Sequence, residues 1–409
     1  MEKILRDAVF VAGGQPTYTY IDREDQDVER NFARAVATPN KVVSLSGPSK
    51  TGKTVLCRKM LSNREYIWID GGRIDGIESF WQFIASEFNV PTQFEVSYKQ
   101  EDSATVGLNT VISANGSQLA RTRKTESHQI DGITSAIDAL LRDGIILVID
   151  DFHYIKADLR KSIIRNIKGA VFNGLKIVLL SVTHRAFDAI KDESELTGRF
   201  ITVSLPDWND DELRKIPISG FKVLNASCSN EVINHIVKES QRNPFLMQQF
   251  CWEICFDNEI EDNLTGKGKS ILDTNQLKPM YIRLAKDAGL PIYQKLAAGP
   301  QSRKERARRP LTGGGDADIY EATLRALAET GPKSTVNYDE IRTILGSLLS
   351  DLIPQKHEVT SALKHLTAIS QGMASDSAID WDEDSREVTI ADPYLRFYLR
   401  WQIKKSGNE

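Results

Sequence analysis

Lys41-Val42-Val43-Ser44-Leu45-Ser46-Gly47-Pro48-Ser49-Lys50-Thr51-Gly52-Lys53-Thr54 decides the fold. The apolar run Val42 to Leu45 predicts a buried parallel strand. It passes into Gly47-x-x-x-x-Gly52-Lys53-Thr54 and then into a helical pattern, Val55 to Leu61. Strand, glycine loop and helix in that order make a cradle for a polyphosphate. Gly47 and Gly52 let backbone N–H groups turn inward, with Pro48, Ser49, Lys50 and Thr51 completing the loop. The helix that opens around Val55 adds a dipole favourable to anions. Lys53 can reach the terminal phosphates, and the Thr54 hydroxyl can hold Mg²⁺.

The surrounding chain has 409 residues, enough for two or three domains with their own cores. Its net charge of −4 argues for no general affinity for nucleic acid. Cys57, Cys228, Cys251 and Cys255 form no C-x-x-C pair and read as reduced core residues of a cytoplasmic protein. Neither a signal peptide nor an apolar run long enough for a bilayer is visible, so no membrane partner is expected.

Downstream of the loop, short apolar runs alternate with helical patterns. Tyr66 to Asp70 is one strand, and Ile145 to Ile149 is another that ends in Asp150-Asp151. Lys176 to Arg185 and Ile201 to Leu205 follow. Such alternation predicts an α/β fold with a doubly wound parallel sheet, whose strands are apolar on both faces. Asp150 would sit at a strand's carboxyl end, where open α/β sheets bind ligands. It is the expected partner of Thr54 in holding the metal, and Asp151 the group that orients or deprotonates the attacking water. Thr183 and Arg185, at the tip of the next strand, are candidate sensors of the γ-phosphate. Arg199, just before the last strand, is either a finger supplied to a neighbouring subunit or a surface ion pair.

The expected domains are 1–207, a P-loop domain; 208–298, an all-helical lid; 299–315, a linker; and 316–409, three helices and a hairpin in winged-helix order. Tyr18 to Ile21 reads as a short β-like piece ahead of the first helix. Residues 91–127 are an insertion, a β-hairpin or loop carrying Arg121, Arg123 and Lys124, which is either solvated or a contact for a partner or nucleic acid. The basic run 303–309 reads as a solvated hinge or as a contact for nucleic acid. The third helix of the last domain is poor in cations and its wing, Asp380 to Asp384, is acidic, so protein contact is favoured over DNA reading.

Taken in order, these motifs resemble the AAA+ and STAND branch of P-loop ATPases, in particular initiator-like ATPases with a C-terminal winged helix. Asp22-Arg23-Glu24 resembles the arginine–glutamate motif beside the adenine, and Asp150-Asp151 the double-acid Walker B. Ser181 to Arg185 is similar to the sensor 1 strand, and Gly198-Arg199-Phe200 to the arginine-finger box. Arg242-Asn243-Pro244 resembles the lid motif whose proline packs on the base. The resemblance implies an ATPase, with ATP and Mg²⁺ as cofactors, that switches between nucleotide states. It further implies a homo-oligomer with a protein effector or sensor partner, in regulation or anti-phage defence. The alternative is a DNA-associated initiator- or transposition-type ATPase, which keeps nucleic acid open as a partner.

Overall fold

The computed structural model describes residues 2–88, 132–182, 198–303, 305–331, 333–373 and 377–404, with backbone alone for 402–404. The insertion 91–127, with Arg121, Arg123 and Lys124, and the candidate sensors Thr183 and Arg185 lie outside the described residues.

Five parallel strands form the central sheet: β1 (Val42–Ser46), β2 (Tyr66–Asp70), β3 (Ile146–Asp150), β4 (Ile177–Ser181) and β5 (Phe200–Ser204). Their order is β2-β3-β4-β1-β5. The strand alternation divides each apolar run between two cores. Val42, Leu147, Ile149, Ile177 and Leu179 face the helices Ile77–Glu87, Gly132–Asp143 and Ala157–Phe172. Val43, Leu45, Ile146, Val148, Val178 and Leu180 face Val28–Ala37 and the loop helix Lys53–Leu61. The central strands β3 and β4, covered on both sides, are apolar at nearly every position, while β1 also buries Ser44 and Ser46.

After β5 the chain is mainly helical: Asp210–Val223, Asn230–Glu239, Pro244–Asp257 and a long element from Leu277 to Ala297 that widens to a π-turn at Ala285–Gly289. Side-chain caps set three of these starts, at Asn209, Ser229 and Asn243. The N-terminal Val9 and Phe10 pack into this helical core. Tyr18 to Ile21 forms no strand. Instead the buried Thr19 hydroxyl donates to Val9 O at 2.7 Å and meets the Gln248 side chain, which ties the segment to the helices after β5.

The C-terminal module has helices Ile319–Glu329, Tyr338–Leu348 and Lys356–Gln371. A three-stranded antiparallel sheet completes it, in the order Thr335–Asn337, Glu387–Ile390, Ile379–Asp382. The last helix, Pro393–Tyr398, belongs to two cores at once. Leu395, and Leu399 in the π-turn that continues it, pack into the C-terminal module, while Phe397, Tyr398 and Trp401 of the same two segments pack against the helices after β5.

In the basic run before this module Arg309 is buried and Arg306 half-buried, while Arg303 and Arg308 stay exposed. Arg309–Pro310 pairs with Asp316–Ala317. Arg306 meets Asp318 at 3.1 Å, Arg308 meets Asp316 at 2.8 Å and Glu321 at 3.0 Å, and Arg309 meets Glu358 at 2.6 Å. Acids that follow soon after pair with Arg306 and Arg308, and Glu358, 49 residues on, pairs with Arg309. Among the described residues no helix is long and apolar enough to cross a membrane.

Candidate functional site

The alternation that builds the two cores also aims Asp150. It shares a face of β3 with Ile146 and Val148, which pack towards the loop helix. Thr54, in the first turn of that helix, donates its hydroxyl to Asp150 Oδ2 at 3.0 Å. The other carboxylate oxygen accepts the Asp151 N–H at 3.0 Å. Asp151 has φ +50° and turns the chain out of the sheet into Phe152–Tyr154. Gly71, at the end of the neighbouring β2, makes room for this corner. A Cβ there would lie 2.6 Å from Asp151 O and 2.8 Å from Asp150 O.

The glycine loop is held from several sides. Gly52 has φ +100°, a conformation that side chains disfavour. Thr51 Oγ1 donates to Pro48 O at 2.7 Å, and the Trp208 indole N–H donates to Thr51 O at 3.0 Å. The buried Lys53 ammonium lies across the loop and donates to Gly47 O at 3.0 Å and Pro48 O at 2.9 Å. One ammonium, one hydroxyl and one carboxylate thus converge where the sequence places them.

Burial pushes the Asp150 carboxyl above the usual carboxylate range, against the Thr54 hydroxyl, the Asp151 N–H and the Lys53 charge. A desolvated carboxylate beside a hydroxyl suits a hard divalent cation. Among the described residues no cluster of three or more His, Cys, Asp or Glu could hold a metal. Thr54 and Asp150 are the side chains here that could hold such an ion, with phosphate and water oxygens completing the shell.

A raised carboxyl favours the folded state most when protonated. Asp150 therefore withdraws stability as pH rises from the ordinary Asp range, about 3.9, through its folded value. The stability of Asp150→Asn relative to wild type should accordingly increase with pH across that window and level off above it. Each tenfold change in proton affinity is worth about 1.4 kcal/mol. Denaturant titrations of both proteins between pH 4 and pH 8 read this slope. A flat difference would remove the buried-carboxylate account.

The lining continues beyond the loop. A cavity of about 490 Å³ runs from Ser49–Val55 past Asp150 and Asp151 to Arg23, Trp208, Pro244 and Phe245. Its volume lies inside the range of small-molecule sites, roughly 300–1,000 Å³. Pro244 sits in the first turn of its helix and is buried. The Arg23 side chain is 3 % exposed and serves as a clamp. Its guanidinium donates to Pro206 O, Asp207 O and Gln26 Oε1 at 2.9 Å each and to Glu212 Oε1 at 3.2 Å. It also lies 4.8 Å from the Trp208 ring centroid. The clamp joins the N-terminal segment, the exit from β5 and the helix Asp210–Val223.

Sequence reasoning missed Trp208, Glu212, Phe245 and Tyr154, which line or brace this cavity. Only Glu212 left a trace, as the capping-box partner of Asn209, and that trace marks a helix start. Arg199 stays outside. Val42 N–H donates to its carbonyl at 2.8 Å, which puts it at the far end of β1 from Gly47. That is roughly 16 Å along the strands. Its guanidinium lies 5.5 Å from the ring of the exposed Phe172. Within one chain it does not approach the cavity.

A loop of this geometry after the β1 position of a β2-β3-β4-β1-β5 parallel sheet decides the fold. It is the P-loop NTPase fold. No family model matches the sequence, and no curated protein matches it. Among solved structures, the chain is similar to Cdc6p from Pyrobaculum aerophilum, with 13% identity, a TM-score of 0.47, and 99% of this chain and 100% of that one covered. It is similar to the Aeropyrum pernix ORC2 protein, with 12% identity, a TM-score of 0.48, and 99% and 98% covered. It is also similar to the Thermotoga maritima RuvB Holliday junction branch migration motor, with 15% identity, a TM-score of 0.43, and 91% and 93% covered. Likenesses at this level extend no activity or partner to this chain.

Proposed function

We propose that the protein is an ATP-binding and ATP-hydrolysing AAA+ switch of the initiator-like or STAND kind. The observation that carries this reading is the convergence of Lys53, Thr54 and Asp150 on one cavity whose wall also includes Pro244 of the lid. Lys53 and the loop backbone bind and orient the β- and γ-phosphates. Thr54 and Asp150 would hold Mg²⁺, which would supply charge neutralisation on the phosphates. Asp151 positions the attacking water, and Pro244 packs on the base. Arg199, remote from its own cavity, is available to a neighbouring copy. In this reading the C-terminal module is a winged helix that contacts protein.

Specific ion pairs count against the DNA-associated alternative. Arg306, Arg308 and Arg309 are engaged by acids. Lys364, on the helix that would enter a groove, meets Glu383 of the hairpin at 2.8 Å. His365 on the same helix meets the Tyr320 hydroxyl at 2.7 Å.

The test is phosphate release from ATP by the purified chain with Mg²⁺, with and without duplex DNA, across a salt series. The expected result is Mg²⁺-dependent hydrolysis that DNA leaves unchanged. Tight DNA binding that weakens steeply with salt would favour the alternative. Absence of nucleotide binding would refute the ATPase reading.

A further inference from the structure

The turn that follows Asp150 is held by a residue outside the cavity. Asp151, His153 and Tyr154 all line the cavity, and all three lie between β3 and the helix Ala157–Phe172. Arg160, on that helix, is 8 % exposed and takes no part in the cavity wall. One nitrogen of its guanidinium, Nη1, donates to His153 O at 3.3 Å and to Ile155 O at 3.2 Å.

Two general effects oppose an arginine at this position. Burial strips water from the guanidinium. Arg160 is also the fourth residue of its helix, near the end whose dipole disfavours a cation. What offsets them is the turn, whose inward carbonyls need donors. The rest of the turn is tied as closely. The Asp151 N–H donates to Asp150 Oδ1 at 3.0 Å, and its carbonyl accepts the Tyr154 N–H at 2.9 Å. Gly71 closes the other side, with no room for a Cβ against the carbonyls of Asp150 and Asp151. Asp151 is thereby kept at φ +50°, a left-handed conformation that a residue with a Cβ disfavours. That conformation sets the direction in which its carboxylate leaves the backbone.

We propose that Arg160 is a positioning residue for hydrolysis, which holds the turn and with it the Asp151 carboxylate at the place where water attacks. This rests on the nucleotide reading of the cavity and adds a residue that reading does not include. In the step concerned, the water oxygen bonds to the γ-phosphorus and the bond to the β–γ bridging oxygen breaks. Its electron pair leaves with ADP, and the proton shed by the water passes to solvent. Asp151 orients the water, while Lys53 and the glycine loop, on other elements, bind the phosphates. Loosening the turn therefore slows the chemical step and leaves binding in place. A displacement of about 1 Å at a reacting group can cost on the order of a hundredfold in rate.

The test is a cycle of variants of the full chain. Single-turnover hydrolysis of radiolabelled ATP with Mg²⁺ gives the rate, and titration with fluorescent ATP gives the affinity. Arg160→Met keeps an apolar stem and removes both donated bonds. It should lower the rate at least about tenfold and leave ATP affinity within about twofold. A residue that acts only through Asp151 has nothing left to position once that carboxylate is gone. In an Asp151→Asn background, itself slow, Arg160→Met should therefore change the residual rate by less than about twofold. If Arg160→Met does not fold, Arg160→Lys carries the same cycle, since both bonds leave from one nitrogen and a shorter stem weakens them. A wild-type rate in the Arg160 variant, or a loss of equal size in both backgrounds, overturns the positioning role and leaves the ATPase reading in place. Asp151→Asn hydrolysing at the wild-type rate overturns the roles of both residues. If wild type hydrolyses no ATP, the positioning role and the ATPase reading fall together.

Discussion

Lys53→Ala should lower affinity for ATP by at least roughly a hundredfold, about 2.8 kcal/mol. Charge-assisted contacts to an anion are the strong class of hydrogen bond, and alanine leaves none at that point of the loop. The variant should keep its fold. The Lys53 ammonium donates to two loop carbonyls, Gly47 O and Pro48 O, and both strands flanking β1 remain paired without it. The measurement is a titration with fluorescent ATP, with circular dichroism and a thermal melt as the fold control. A folded variant with wild-type affinity would remove Lys53 from the site. The phosphate-cradle reading of the loop would fall with it.

Arg23→Ala should cost about 3–5 kcal/mol of stability, the range for breaking one side of a buried ion pair. Arg23 and Glu212 side chains are 3 % and 2 % exposed. Truncation leaves the Glu212 charge buried and the carbonyls of Pro206 and Asp207 without this donor. Lysine should not rescue, since one ammonium cannot reproduce the four-way fork. Arg23→Met combined with Glu212→Gln should recover part of the loss, because both charges go while the cap on Asn209 remains. Urea unfolding of the three variants against wild type reads these differences. A loss below about 1 kcal/mol for Arg23→Ala would mean that water reaches the clamp.

Much of the architecture was legible locally. The apolar runs from Val42, Ile145 and Lys176 carry their own signal, since a strand covered on both faces has few polar positions. The helices after Asn209, Ser229 and Asn243 announce themselves through their caps, and Pro244 falls where a first helical turn accepts proline. The pairing of Thr54 with Asp150 was legible too, because the loop motif implies a metal and Asp150 ends an apolar strand. Tyr18 to Ile21 misled for the opposite reason. Its β-branched and aromatic residues suit a strand, but Thr19 finds its partners on Val9 and Gln248 instead of on a strand edge.

Local pattern alone, then, determined a parallel α/β core with a phosphate loop, a helical stretch after it, and a final module of three helices and a hairpin. Tertiary packing decided the strand order, the sharing of the last helix between two cores, the Arg23–Glu212 clamp, and the pairing of Arg309 with Glu358. The physical reason is separation along the chain. Strand and helix signals arise from neighbours a few residues apart, whose spacing is written in the sequence. Arg23 and Glu212, or Arg309 and Glu358, meet only after whole elements have packed, and nothing in either residue's surroundings in sequence specifies the other.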